Sequence, residues 1–97
     1  MSKYAIYTKW QWPNGVPEAE TMQDWQRGYK KQTKAVECIW FKVSDDIHQS
    51  VLIYQSEADA KAEQVMLAEN RKKAKNETGH KMLEETMGPV LSIMSEV

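Results

Sequence analysis

Two consecutive segments, AVECIWFKV (35–43) and HQSVLIYQ (48–55), constrain this chain more than any other feature. Both are dense in Val, Ile and aromatic residues, and Ser44-Asp45-Asp46-Ile47 joins them at hairpin length, so they read as paired antiparallel strands. A strand with one wet face should alternate apolar and polar residues. These do not: Val36, Cys38 and Trp40 oppose Ile39, Phe41 and Val43, and Leu52 and Tyr54 oppose Val51 and Ile53. Both faces of their sheet need cover.

The flanking segments supply the remaining elements. Residues 3–12, KYAIYTKWQW, are aromatic and β-branched and stop at Pro13-Asn14-Gly15, which predicts a first strand and its turn. Tyr4, Ile6, Thr8, Trp10 and Trp12 then share one face; the alternation leaves open whether that face meets helices or a partner chain. From about Glu18 to Lys34, Met22, Trp25 and Tyr29 recur at helical spacing; Thr21 with Asp24 is an alternative start. Ser56 as N-cap and Asp59 at N3 open a second helix reaching about Asn76, with Ala58, Ala62, Val65 and Met66 on one face. Gly79 suits its end. Met82, Leu83, Thr86, Met87 and Val90 predict a short further helix, broken at Gly88-Pro89, and VLSIMSEV (90–97) a last strand. There Val90, Ser92 and Met94 oppose Leu91 and Ile93.

The order β-α-β-β-α-(α)-β is that of a ferredoxin-like α+β fold, a four-stranded antiparallel sheet with helices on one face. It occupies residues 1–97 as a single domain. At 97 residues such a domain buries only about 60–65% of the surface its unfolded chain exposes, so a partner would add much. Helices can cover one sheet face; the other would expose an apolar patch larger than lone soluble proteins carry. A second copy placed sheet against sheet is the simplest cover, so a homodimer is expected.

A formal net charge of −1 and 28% charged residues give no field that attracts phosphate backbones or acidic membranes, so neither nucleic acid nor a membrane is an expected partner. RNA-recognition domains share the element order, but CIWFKV lacks the glycines of their aromatic strand signature. No window approaches the roughly 18 consecutive apolar residues of a membrane helix. One cysteine, Cys38, and an N-terminus without a secretory apolar stretch make a cytoplasmic setting the expectation. Two His and one Cys at scattered positions form no zinc spacing, and no Gly-rich phosphate loop occurs, so no metal or cofactor is called for.

The element order, the two-faced strands and the late stretch KMLEETMGPVLSIMSE (81–96), in which a short amphipathic segment and a TMG turn lead into the last strand, resemble the dimeric α+β barrel superfamily, whose best-known branch is the antibiotic-biosynthesis-monooxygenase-like domains. The resemblance spans nearly the whole chain. It implies sheet-to-sheet homodimers with a small apolar or aromatic ligand held between each sheet and its own helices, and in some members oxidation of that ligand without a conventional cofactor. Haem-degrading members use an Asn on the first strand with a Trp and a helix His; the first strand here has no Asn.

Under that expectation the ligand, aromatic or fatty-acid-like, is walled by Trp10, Trp12, Trp25, Tyr29, Trp40, Tyr54, Met66, Met82, Leu83 and Met87. Indole burial is strongly favourable, and methionine adapts to irregular shapes. His80, at a turn before a Met-rich segment, is the candidate catalytic proton handler, ahead of His48. A carboxylate on the ligand could use the basic run Arg71-Lys72-Lys73-Ala74-Lys75. The alternative is a non-catalytic structural or interaction module whose core is solid. Gly28 within the first helix, Cys38, Glu84 and Glu85 suggest packing or surface roles.

Overall fold

A computed structural model describes residues 3–97. Strand β1 (Tyr4–Gln11) leads through a turn into helix α1 (Ala19–Lys30), followed by β2 (Glu37–Lys42) and β3 (Ile47–Tyr54). Helices α2 (Glu57–Ala62) and α3 (Gln64–Glu77) come next, then β4 (Lys81–Pro89) and a single 3-10 turn (Met94–Glu96). The sheet has four strands in the order β2-β3-β1-β4, and every neighbouring pair is antiparallel. Strands β1 and β2 are thus parallel to one another with β3 between them, a split βαβ arrangement compatible with a ferredoxin-like fold. No helix among the described residues is long and apolar enough to cross a membrane.

The expected turns form with the expected chemistry. Gly15 adopts φ +91, and the Val16 N–H donates to the Asp45 carbonyl at 2.7 Å, closing the loop after β1 onto the β2–β3 hairpin. Gly79 ends α3 at φ +76, where a Cβ would come within 3.2 Å of Pro13 Cγ. A side chain there meets both backbone strain and a collision.

The C-terminal third departs from the sequence reading. Residues 81–89 form β4, not a helix, and the last segment forms no strand: Leu91, Met94 and Val97 are exposed beyond it. The local sequence KMLEE has good helix formers, but β1 sits inside the sheet and its second edge needs hydrogen-bond partners, which β4 supplies from Tyr4↔Pro89 to Gln11↔Lys81. A register shift at Lys9/Trp10 interrupts the ladder. That irregularity disguises the period-2 pattern in the sequence.

The second predicted helix is broken in two at Glu63, and its inward face differs from the apolar pattern. Ala60, Glu63 and Leu67 are buried, whereas Ala58, Ala62 and Val65 are exposed and Met66 is half-buried. Counting apolar residues misses this face because a carboxylate stands in its centre. Glu63 accepts hydrogen bonds from Tyr54 Oη at 2.6 Å, from Thr33 Oγ1 at 2.9 Å and from the Lys34 N–H. Burial, then the bond to Glu63, raises the Tyr54 phenol's pKa.

The inner sheet face changes character along its length. Facing rows of β1 and β3 pair Tyr4 with Tyr54, Ile6 with Leu52, Thr8 with Ser50 and Trp10 with His48. Ile6, Leu52 and Tyr54 pack with Ala60 and Leu67 as the hydrophobic core. Past Thr8 and Ser50 the core stops and a cavity begins. Among the described residues no helix lies on the opposite sheet face, and there Ile39, Phe41 and Val43 are 52%, 45% and 53% exposed.

Glu63→Ala should lower the free energy of unfolding by about 2–4 kcal/mol, because three donors lose a buried acceptor. Urea denaturation checks this, and an unchanged midpoint would remove Glu63 from the account.

Candidate functional site

The sequence places large rings on three separate elements, and the fold brings them to one end of the sheet's inner face. Trp10 and Trp12 come from β1 and its end, Trp40 from β2, His48 from β3, and Met22, Trp25 and Tyr29 from α1. Leu67, Asn70, Arg71 and Ala74 of α3 close the far wall, and His80 enters from the turn before β4. Together they line a cavity of about 290 Å³ that is open to the surface. Every tryptophan and every histidine of the chain lines it. Its floor consists of Thr8, Ser50 and Leu52; the two small residues leave the space that larger side chains would fill.

The rings hold one another. Trp12 lies nearly parallel to His80, centroids 3.8 Å apart, and to Trp25 at 5.9 Å. Trp10 tilts against His80 at 5.0 Å, and Trp40 meets His48 edge-on at 6.2 Å. Such pairs contribute about 0.5–1.5 kcal/mol each beyond area burial. Trp25 is 44% exposed and stands at the cavity mouth. Helix α1 buries no residue completely: Tyr29 packs against the core and Trp25 against Trp12, while Met22, Trp25 and Tyr29 also line the cavity.

Hydrogen bonds fix the protons on both imidazoles. Trp12 Nε1–H donates to His48 Nδ1 at 2.8 Å, so that nitrogen is bare and His48 carries its proton on Nε2. The Thr78 hydroxyl donates to the Ala74 carbonyl at 2.7 Å and therefore has only lone pairs to offer His80 Nδ1. His80 Nδ1 is the donor, and its Nε2 is unprotonated. Burial lowers both histidines from 6.5 to about 4, and at His48 the charge on His80 adds to the effect. Both rings are neutral at pH 7.

Some of the other polar groups at the site are already engaged. Trp10 Nε1 donates to Thr8 Oγ1 at 2.8 Å. Arg71 Nη2 lies 2.6 Å from Glu85 Oε2, close enough to pair by charge but off hydrogen-bond alignment, so that oxygen lacks a donor. Of the basic run, Arg71 is the only cation on the wall. The Tyr29 hydroxyl is buried near Thr33, Tyr54 and Glu63 but meets none of them in hydrogen-bond geometry; burial first of all raises its pKa.

Of the sequence candidates, Trp10, Trp12, Trp25, Tyr29, Trp40 and His80 converge on this cavity. Tyr54 belongs instead to the solid core, where it is fully buried; Met66 is half-buried on α3, and Met82, Leu83 and Met87 are exposed on β4. With their segment a strand, those three lie off the cavity wall. Thr8, Met22, Ser50, Leu52, Leu67, Asn70, Arg71 and Ala74 complete the lining, and His48 is more central than its sequence position suggests. The period-2 row His48, Ser50, Leu52, Tyr54 was the available signal for the β3 members. Among the described residues no cluster of three or more His, Cys, Asp or Glu could hold a metal ion.

Nitrogen-15 NMR at pH 7 should find His48 protonated on Nε2 and His80 on Nδ1; any other assignment contradicts the hydrogen-bond network. Because both folded pKa values are depressed, the unfolded chain binds more protons between pH 6.5 and about 4. Stability from these groups is full above pH 6.5 and is lost as pH falls through that window. His80→Phe should therefore flatten the acid limb of stability against pH, and a limb as steep as wild type would count against neutral burial.

Compared with protein-family models, with curated proteins and with solved structures, the chain finds no match.

Proposed function

We propose that this chain is a small-molecule-binding protein whose ligand is a planar, largely apolar aromatic molecule held in the ring-walled cavity. The convergence of all four tryptophans and both histidines on one space carries this reading. Core packing alone does not explain it, since interiors close their voids and this one stays open over two small residues. At the roughly 30 Å³ that a water occupies in the liquid, the space corresponds to about ten waters, the size of a two-ring molecule. Parallel indoles suit a flat ring better than a flexible acyl chain. If the site carries out a reaction, His80 is its proton acceptor, because its unprotonated Nε2 is free of the protein bonds that occupy His48 Nδ1.

The same reading takes the fold as ferredoxin-like and the assembly as a sheet-to-sheet homodimer of the dimeric α+β barrel kind. The parallel pair β1 and β2 with β3 between them, and β4 returning to the free edge of β1, support the fold. The helix-free face supports the dimer: Ile39 of β2 pairs with Val51 of β3, which pairs with Tyr7 of β1, and Ile53 of β3 pairs with Ala5, with Phe41 exposed on the same face. An apolar stripe across three strands needs cover, and a two-fold copy offers the same stripe in return.

Naphthalene should bind with a dissociation constant below about 100 µM and shift all four indole N–H signals in two-dimensional NMR. Ala74→Trp, which fills the cavity from α3, should abolish those shifts; wild-type spectra unchanged at saturating naphthalene would end the ligand reading. Light scattering at micromolar concentration should return twice 11.3 kDa, and Phe41→Glu should return the single-chain mass. A wild-type monomer would end the dimer reading.

A further inference from the structure

Two histidines line the cavity, and hydrogen bonds to neighbouring residues set the proton on each ring. His48 is held by Trp12 so that its Nε2 carries a hydrogen, and His80 is held by Thr78 so that its Nε2 carries a lone pair. Neither Nε2 has a hydrogen-bond partner among the described residues. Both rings contact the same indole, Trp12, at 5.8 and 3.8 Å between centroids, so one small molecule lying against the tryptophans can meet both. A purely hydrocarbon occupant would cover a donor and an acceptor without satisfying either, at a cost of about 1–3 kcal/mol for each group.

Resting on the reading that the cavity holds an aromatic molecule, we propose that this molecule is neutral and amphiprotic, donating a hydrogen bond to His80 Nε2 and accepting one from His48 Nε2–H. A cyclic amide on the ring, or a ring hydroxyl, has that chemistry. A carboxylate does not: it has no hydrogen for His80, and Arg71, the only cation on the wall among the described residues, is already beside Glu85. A cationic ligand meets Arg71 on the same wall and finds no unpaired carboxylate there. His48 and His80 are thus the residues that select among flat rings of similar size, while the tryptophans supply affinity common to all of them.

Calorimetric titration of the full chain at pH 7 with a matched series tests this. The probes are 2-quinolinone and 1-methyl-2-quinolinone, 2-naphthol and 2-methoxynaphthalene, naphthalene and 2-naphthoate. At least one parent should bind about tenfold or more tightly than its methylated partner, and which one does so separates the amide from the hydroxyl. His80→Phe, which keeps a ring against Trp12 but removes the acceptor, should shrink that preference to about twofold or less. Parents and methylated partners binding wild type equally would overturn the proposal and leave the aromatic cavity intact. Tighter binding of 2-naphthoate than of either parent would overturn it in favour of an anion. Failure of every probe, naphthalene included, would overturn both readings together.

Discussion

The arrangement of helices over sheet depends on one buried carboxylate. Glu63 stands at the joint between α2 and α3 and takes hydrogen bonds from the end of β3 through Tyr54 and from the α1–β2 connection through Thr33 and the Lys34 N–H. A buried carboxylate is costly unless its oxygens are satisfied, and here three donors from two other parts of the chain satisfy them. The same contacts hold the joint between α2 and α3 against the end of β3 and against the α1–β2 connection. Around that clamp lie Ile6, Leu52, Tyr54, Ala60 and Leu67, the solid part of the interior.

Away from the clamp the interior opens. Thr8 and Ser50 are buried yet small, and beyond them α1 spans the rings without burying a residue of its own. The domain is therefore firm at the Tyr54 end of the inner face and hollow at the His48 end. A cavity in so small a protein forgoes packing contacts. Stacking among Trp12, Trp25 and His80 and the Trp12–His48 hydrogen bond offset part of that loss and at the same time orient the imidazoles. Stability and site preparation thus use the same bonds.

Much of this was legible in residue order. The β2–β3 hairpin, the Gly15 and Gly79 turns, and the inward face of α1 through Met22, Trp25 and Tyr29 follow from local pattern and conformational preference. What failed did so for identifiable reasons. The segment 81–89 favours helix by composition, and only the unpaired edge of β1 makes it a strand. The inward face of α2 and α3 contains Glu63 and Arg71, so apolar periodicity points to Ala58, Ala62, Val65 and Met66 instead. Ser50 and Thr8 gave no signal as cavity residues because smallness matters only once their neighbours are known.

By itself the sequence determined that Trp10 and Trp12 share a face, since side chains on a strand repeat every two residues, and that the sheet is apolar on both sides. It left open which side the indoles take. The tertiary structure decided that they face the helices, because the row Trp10, Thr8, Ile6 pairs across β3 with His48, Ser50 and Leu52, and α1 and α3 lie over that row. The structure also decided the protons of His48 and His80. Those depend on Trp12 and Thr78 being within hydrogen-bond reach, and for His48 the partner is 36 residues away in the chain, beyond what local pattern can specify.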